Sequence, residues 1–532
     1  MSGGADPVTR HFLNLGGRAV HYRRLGSGPP VLLIHSSPAS SEYLFPFMRQ
    51  LAPHFTCFAF DTPSFGDSDR LTLRHIKIAD LADATAAAMQ ALGLPACPVF
   101  GTHTGAAIAT ELGRRHPHLV RGVVADGITI FNAQEQADIL SGYLMKIAPD
   151  ALGGHFTSLW TRFRDQLIWF PWYRKRAANL LTADIPPAAS IQMWVMMMLR
   201  AGNSYRTAYK AAFAYGDEAV TAARELTVPA VFLARKRDMN FPHLAHLTGL
   251  KPEQRVLPLG NDEAAWYGAI VDAMRGFAGD ETPPPDPVAA KPTAHIRRAF
   301  TGPAGAQLFV RYGGAKGVPL VLLHDVPGSS GMVGREMDRV ARERPVYAFD
   351  IPGCGESDPL SLEKPGVADF AASLLAAIDR LGLTTFDIQA SGYSAALAVE
   401  LARHAQGRVG SVSLDHVIEI DPSDRAAMAE RLTPAIEPVA DGSHFYRTWL
   451  MLRDAQVYRP WYEANNRHLM RTEGNFDAAF LHDWTVEVQK QPRTYGLLMQ
   501  AVLDYPLADH MRNLSASVSV DGADLALLDA AQ

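Results

Sequence analysis

Cysteine is scarce in this chain: Cys57, Cys97 and Cys354 are three residues among 532, scattered and odd in number. They make neither a disulfide framework nor a metal cluster, and they suit a reducing cytoplasm. No apolar run reaches the ~18 residues of a membrane span. The start, MSGGADPVTRHF, has no apolar core of a secretory signal. A strong charge of one sign is lacking too. A formal charge of −5 gives neither nucleic acid nor an anionic membrane an electrostatic reason to bind. There is no Gly-rich phosphate loop, no His-x-x-x-His pair and no carboxylate-rich loop, so nothing points to a metal or a cofactor. These absences leave a cytoplasmic protein with a small molecule as its expected partner.

What is present is a repeat. VLLIHSSPASS (31–41) returns as LVLLHDVPGSS (320–330), placing His35 against His324. DTPSFGDSD (61–69) returns as DIPGCGESD (350–358) with five identities in nine, and HFTSLWTRFRDQLIWFPWY (155–173) as HFYRTWLMLRDAQVYRPWY (444–462) with eight in nineteen. The offset is 289 residues throughout, without a gap, so the chain contains one domain twice. A Pro-rich stretch without periodicity, about 280–294, reads as a linker. The expected domains are therefore 1–279 and 295–532. Two copies tethered so closely are expected to dock on each other as an intramolecular pseudo-dimer, with further oligomerisation open.

In each copy an unbroken apolar strand (PPVLLIH; VPLVLLH) is followed by further strand patterns (FTCFAFD, CPVFGT, VRGVVAD; RPVYAFD, FDIQAS, VGSVSLD) that alternate with amphipathic helical patterns such as ADLADATAAAMQALGL and ADFAASLLAAIDRLGL. Apolar strands alternating with helices predict an α/β fold, a mostly parallel sheet with helices on both faces.

The motifs HSSP and HDVPG after the first apolar strand, DTPSFGDSD and DIPGCGESD in the next loop, and the turn GTHTG (101–105) together resemble the α/β-hydrolase superfamily, in both copies. The resemblance implies two tandem α/β-hydrolase-fold domains, each with a helical cap (about 132–225 and 421–513), the second copy truncated at its C-terminal side. It implies a nucleophile at the centre of G-x-S-x-G, on a strained strand-to-helix turn. His103 stands there instead, and Gly392 is its counterpart in ASGYSA of the second copy. The family's acid falls on Asp238, after LTVPAVFLARKRD, with Asp126, after VRGVVAD, as a second candidate. The family's histidine should follow the last strand, but RVLPLGNDEAAW offers only Asn261 and Asp262. In the second copy only Asp524 stands near the place of the acid.

A Ser-His-Asp mechanism is thus not available in the first copy. An imidazole beside a carboxylate, facing backbone amides, is nevertheless a kit for proton transfer next to a carbonyl. The catalytic candidates are His103, Asp238 and Asp126. Those for holding an oxyanion or substrate are His35, Ser36, Ser37 and Thr104, with His155 and Trp194 from the cap. His155 reads equally well as a core histidine, and the Met/Trp-rich stretch IQMWVMMMLRAG (191–202) as core or as the wall of an apolar cavity. The expected activity is cofactor-independent, on a small to medium apolar carbonyl compound: hydrolysis of an ester, lactone or C–C bond. A lyase, isomerase or cyclase with His103 as base is the alternative, and a non-catalytic binding or scaffold protein the competing class. The second copy is expected to do no chemistry.

Overall fold

A computed structural model describes residues 8–182, 184–286, 293–418, 420–471 and 473–521. Asp524 and residues 287–292 of the expected linker lie outside them. By internal contacts the chain divides into two compact units, unit 1 from 1–148 and 158–287, and unit 2 from 149–157 and 288–532. Residues 149–157, which the repeat assigns to the first copy, group with unit 2.

Unit 1 is built on eight strands: β1 (Thr9–Leu15), β2 (Arg18–Leu25), β3 (Pro30–Ile34), β4 (Thr56–Phe60), β5 (Cys97–Thr102), β6 (Val120–Asp126), β7 (Ala230–Arg235) and β8 (Gln254–Leu259), in the order β1-β2-β4-β3-β5-β6-β7-β8. β1 and β2 pair antiparallel, as do β2 and β4, and every later pairing is parallel. β3, β4 and β5 are buried along their whole length, as expected of strands covered on both faces. Val31 and Leu33 of β3, Phe100 of β5, Val124 of β6 and Leu233 of β7 form one core with Trp266.

Unit 2 repeats the plan with β9 (Arg297–Thr301), β10 (Leu308–Gly313), β11 (Leu320–Leu323), β12 (Val346–Phe349), β13 (Phe386–Ser391), β14 (Val409–Asp415) and β15 (Ser517–Asp521), ordered β15-β14-β13-β11-β12-β10-β9. Read from β9, this is the order of unit 1 without a counterpart of β8 among the described residues, so the second copy is the shorter. No helix among the described residues is long and apolar enough to cross a membrane.

The best-kept motif shows why its residues recur. The Asp61 carboxylate accepts the Ser41 and Asp67 amides at 2.7 and 2.9 Å. Ser68 Oγ accepts the His21 amide at 2.9 Å, and Asp69 accepts that of Ala19 at 2.7 Å. Gly66 is obligatory because its φ is +53° and a Cβ there would lie 2.0 Å from Asp61 Oδ2. Asp350, Ser357 and Asp358 repeat this in unit 2, Asp350 accepting from Ser330 and Glu356, Ser357 from Phe309 and Asp358 from Gln307, with Gly355 against Asp350 as Gly66 is against Asp61. The motif is a brace that ties the loop to the strands beside it. It also explains the one cluster of potential metal ligands among the described residues, His21, Asp61 and Asp67. His21 Nδ1 is on Asp61 at 2.7 Å and Arg200 on Asp67 at 2.6 Å, so these ligand atoms are already engaged within the protein.

Candidate active site

β5 ends at Thr102 and the helix Thr104–Arg115 begins at once. The residue between them, His103, is held at φ 50° and ψ −110°, a conformation that costs a non-glycine residue about 1–3 kcal/mol. Two glycines make the turn possible. A Cβ on Gly101 would lie 2.0 Å from the Gly105 carbonyl oxygen, and one on Gly105 2.2 Å from that of Ile34. The His103 amide donates to the Asp126 carbonyl at 2.8 Å, which fixes the turn against the end of β6.

The ring so presented keeps 35% of its side-chain surface uncovered. Nε2 shares a hydrogen bond with Asp238 Oδ2 at 2.9 Å. Nδ1 has no hydrogen-bond partner among the described residues. Asp238 is in turn held by the Asn240 amide on Oδ1 at 2.8 Å, and Asn240 Nδ2 is anchored on the Gly127 carbonyl at 2.7 Å. Burial, the largest influence on His103, would lower its pKa. The charge of Asp238, its hydrogen bond and the charge of Asp126 outweigh it and raise the pKa to about 9. Asp238 shows the reverse balance: burial alone would raise it, and His103 with the Asn240 amide brings it to about 2. The pair is an imidazolium carboxylate at neutral pH.

Asp126 lies beside the pair without joining it. Its carboxylate accepts from Trp266 Nε1 at 3.2 Å and Thr102 Oγ1 at 3.4 Å, and burial lifts it to about 6. The His103 side chain thus bonds Asp238 and not Asp126. His35 is fully buried with both nitrogens in use: Nδ1 donates to the Ser36 carbonyl at 2.8 Å and Nε2 accepts the Thr62 amide at 3.0 Å. It positions the Ser36–Ser37 loop and offers nothing to a substrate. Ser37 Oγ is buried without a partner among the described residues. Trp194 is half-buried with its ring 5.0 Å from that of Tyr43. Met196, Met197 and Met198 beside it are core. His155 groups with unit 2, where it is buried and its Nε2 bonds His482 Nδ1 at 2.9 Å, the environment of a core histidine.

Sequence reasoning missed three residues around the pair. Asn240 carries a readable signal, an Asp-x-Asn turn two residues past the acid. Tyr43, whose hydroxyl feels both Asp126 and Asp238, gave none. Gly127 packs flat on the imidazole; a Cβ there would come within 2.6 Å of His103 Cδ2.

Unit 2 shows what the same backbone does with an anion. At Gly392, counterpart of His103, a Cβ would lie 2.0 Å from Asp325 Oδ2. Asp325, counterpart of Ser36, has moved its carboxylate into the space a side chain on the turn would claim. Its Oδ1 accepts the Val326 amide at 2.8 Å and the Tyr393 amide at 2.9 Å. The matching amides in unit 1 are those of Ser37 and Thr104, which have no acceptor among the described residues.

The sequence model of the alpha/beta hydrolase fold matches residues 29–242 and 318–487. The chain belongs to the α/β-hydrolase fold family. Among curated relatives, this α/β-hydrolase-fold chain is 30% identical over 144 residues to a 2-(acetamidomethylene)succinate hydrolase of Mesorhizobium japonicum, covering 26% of this chain and 51% of that protein. It is 33% identical over 132 residues to a haloalkane dehalogenase of Sphingobium indicum, covering 23% and 43%. The chain thus spans about half the length, or less, of these relatives. A crystal structure of E-2-(acetamidomethylene)succinate hydrolase aligns with 50% of this chain and 99% of its own at 18% identity, TM-score 0.40.

Proposed function

We propose that unit 1 is a cofactor-independent enzyme acting on a small to medium apolar carbonyl compound, by hydrolysis of an ester, lactone or C–C bond. In this reading His103 transfers the proton where the family carries a nucleophile. The observation that carries it is the 2.9 Å bond from His103 Nε2 to Asp238 on the strained turn, which leaves Nδ1 to face a substrate. In the neutral ring Asp238 holds the proton on Nε2, so Nδ1 is the basic atom. It takes a proton from water as the oxygen attacks the carbonyl carbon. The developing oxyanion is received by the Ser37 and Thr104 amides, with the unpartnered Ser37 hydroxyl at hand. The Nδ1 proton then passes to the leaving group, and the pair returns to its first state. Hydrolases among the relatives support this choice of reaction.

A pKa of about 9 means that the neutral ring is a minor form at pH 7, so hydrolysis rises with pH and levels off above pH 9. The same raised pKa favours a second reading, a lyase, isomerase or cyclase in which Nδ1–H of the imidazolium polarises a carbonyl. Its rate falls through the same pH. Kinetics on p-nitrophenyl esters and lactones from pH 6 to 10 separate the two. His103→Ala should cost roughly two to four orders of magnitude in kcat/KM, and a fluorophosphonate should label no serine of the turn. Full activity in His103→Ala would sink both readings, and tight binding without turnover would favour a scaffold.

A further inference from the structure

Unit 2 holds a cavity that its lost chemistry does not explain. It measures about 160 Å³ and is lined by Met451, Leu452, Trp461, Trp484, Tyr495 and Met499, with Asp325 and Tyr393 from the turn. An apolar cavity of roughly 150 Å³ is enough for one benzene ring. The polar atoms of three of its large aromatic residues are spent elsewhere. Trp461 Nε1 donates to the Leu432 carbonyl, Trp484 Nε1 to that of Pro327 and Tyr495 Oη to that of Pro434. What these three rings offer is apolar surface.

Asp325 is the exception. It lies deep in the unit, yet much of its surface is uncovered by protein because it opens on the cavity. Oδ1 is saturated by the two amides, whereas Oδ2 accepts from no group among the described residues. Arg459 also lines the cavity and is exposed. Two amide dipoles and a guanidinium already offset the carboxylate, so a cationic ligand would meet repulsion from Arg459. A neutral hydroxyl would find an acceptor. Burial outweighs these groups and holds Asp325 up at about 7, so one more donor on the free Oδ2 adds to its stabilisation.

We propose that the unit 2 cavity is a binding site for a small neutral aromatic molecule bearing a hydroxyl group, a phenol or aryl alcohol, whose O–H donates to Asp325 Oδ2 while its ring packs among Trp461, Trp484 and Met451. The site is independent of the function proposed for unit 1.

Calorimetric titration of the full chain with phenol, toluene and benzylamine tests this. A hydrogen bond to a charged group is worth about tenfold or more in affinity, so phenol should bind at least about tenfold tighter than toluene, and tighter than benzylamine. Asp325→Asn keeps an oxygen for the two amides but turns an NH2 donor toward the cavity. It should weaken phenol about tenfold and give measurable binding of acetophenone, an acceptor. Ala455→Trp, which fills the cavity, should abolish both. Equal binding of phenol and toluene, a preference for benzylamine, or unchanged phenol affinity in Asp325→Asn would each overturn the proposal. The comparison of three ligands on the unaltered chain decides it even if a variant fails to fold.

Discussion

A histidine with a raised pKa is a statement about stability as well as about rate. Folding moves His103 from an ordinary 6.5 to about 9, so the folded state binds the proton more tightly than the unfolded chain. The pair's contribution is therefore complete below pH 6.5 and is lost as pH rises through 9. Asp238, lowered to about 2, acts in the opposite sense: its contribution is present above pH 3.8 and lost as pH falls through 2. Thermal unfolding between pH 6.5 and 9 should show the first effect. Asp238→Asn should flatten that slope and move the kinetic pKa downward by one unit or more, since burial then acts on His103 with less opposition. An unchanged kinetic pKa would show that the titrating group is not His103. The two units also differ by a reciprocal exchange. Unit 1 has His103 on the turn and Gly127 after β6, whereas unit 2 has Gly392 on the turn and His416 after β14. Gly127→Ala should thus displace the imidazole and strain a backbone held at φ +63°, lowering activity and costing about 1–2 kcal/mol of stability.

At the scale of elements, the turn depends on space more than on chemistry. Gly105→Ala would place a methyl group 2.2 Å from the Ile34 carbonyl oxygen. The backbone of β3 or of the helix must move, at a cost of about 1–3 kcal/mol. Urea unfolding should show that loss, and His103→Ala should also lower the midpoint at neutral pH, because it removes the partner of the buried Asp238 while still holding a non-glycine residue at φ 50°. The parallel strands were legible: CPVFGT and VRGVVAD coincide with β5 and β6, and RPVYAFD and VGSVSLD contain β12 and β14, because β5, β12 and most of β6 are buried and mostly apolar, and β14 keeps Val409, Val412 and Leu414 inside. The antiparallel β1 and β2 were not, since TRHFLNL and RAVHYRRL mix charge with apolar residues and carry no unbroken run. His103 and Asp238 were legible as positions. Their bond joins residues 135 apart, and only the fold brings them together. Asp325 was invisible for a different reason. Its meaning lies in the side chain missing from Gly392, and a pattern of residue types does not show which neighbour fills a space left empty.

At the scale of the molecule, unit 2 is not one continuous half of the chain. Phe156 stacks on Phe445 at 5.5 Å with the planes 9° apart. A Cβ on Gly153 would lie 2.8 Å from the Trp449 ring, and His155 bonds His482. A fragment covering 293–521 should therefore be less stable than unit 2 within the full chain. Adding a peptide of residues 149–157 should raise its melting temperature by a few degrees, and a peptide with Phe156→Ala should not. No response to either peptide would show that these contacts contribute nothing.

Synthesis gives that short stretch a second meaning. His482 leaves the ribosome 327 residues after His155, a delay of roughly 15–65 s at ordinary elongation rates. For the later part of that interval, once residue 287 has been made, a finished unit 1 carries a loop whose aromatic partner has not been made. A neighbouring chain on the same message that has already completed Phe445 and His482 can accept it. Closely spaced ribosomes on one message should accordingly yield dimers that have exchanged 149–157, and sparsely loaded messages should yield fewer. The ratio of dimer to monomer on size-exclusion chromatography, followed against the strength of translation initiation, records which chain closed first.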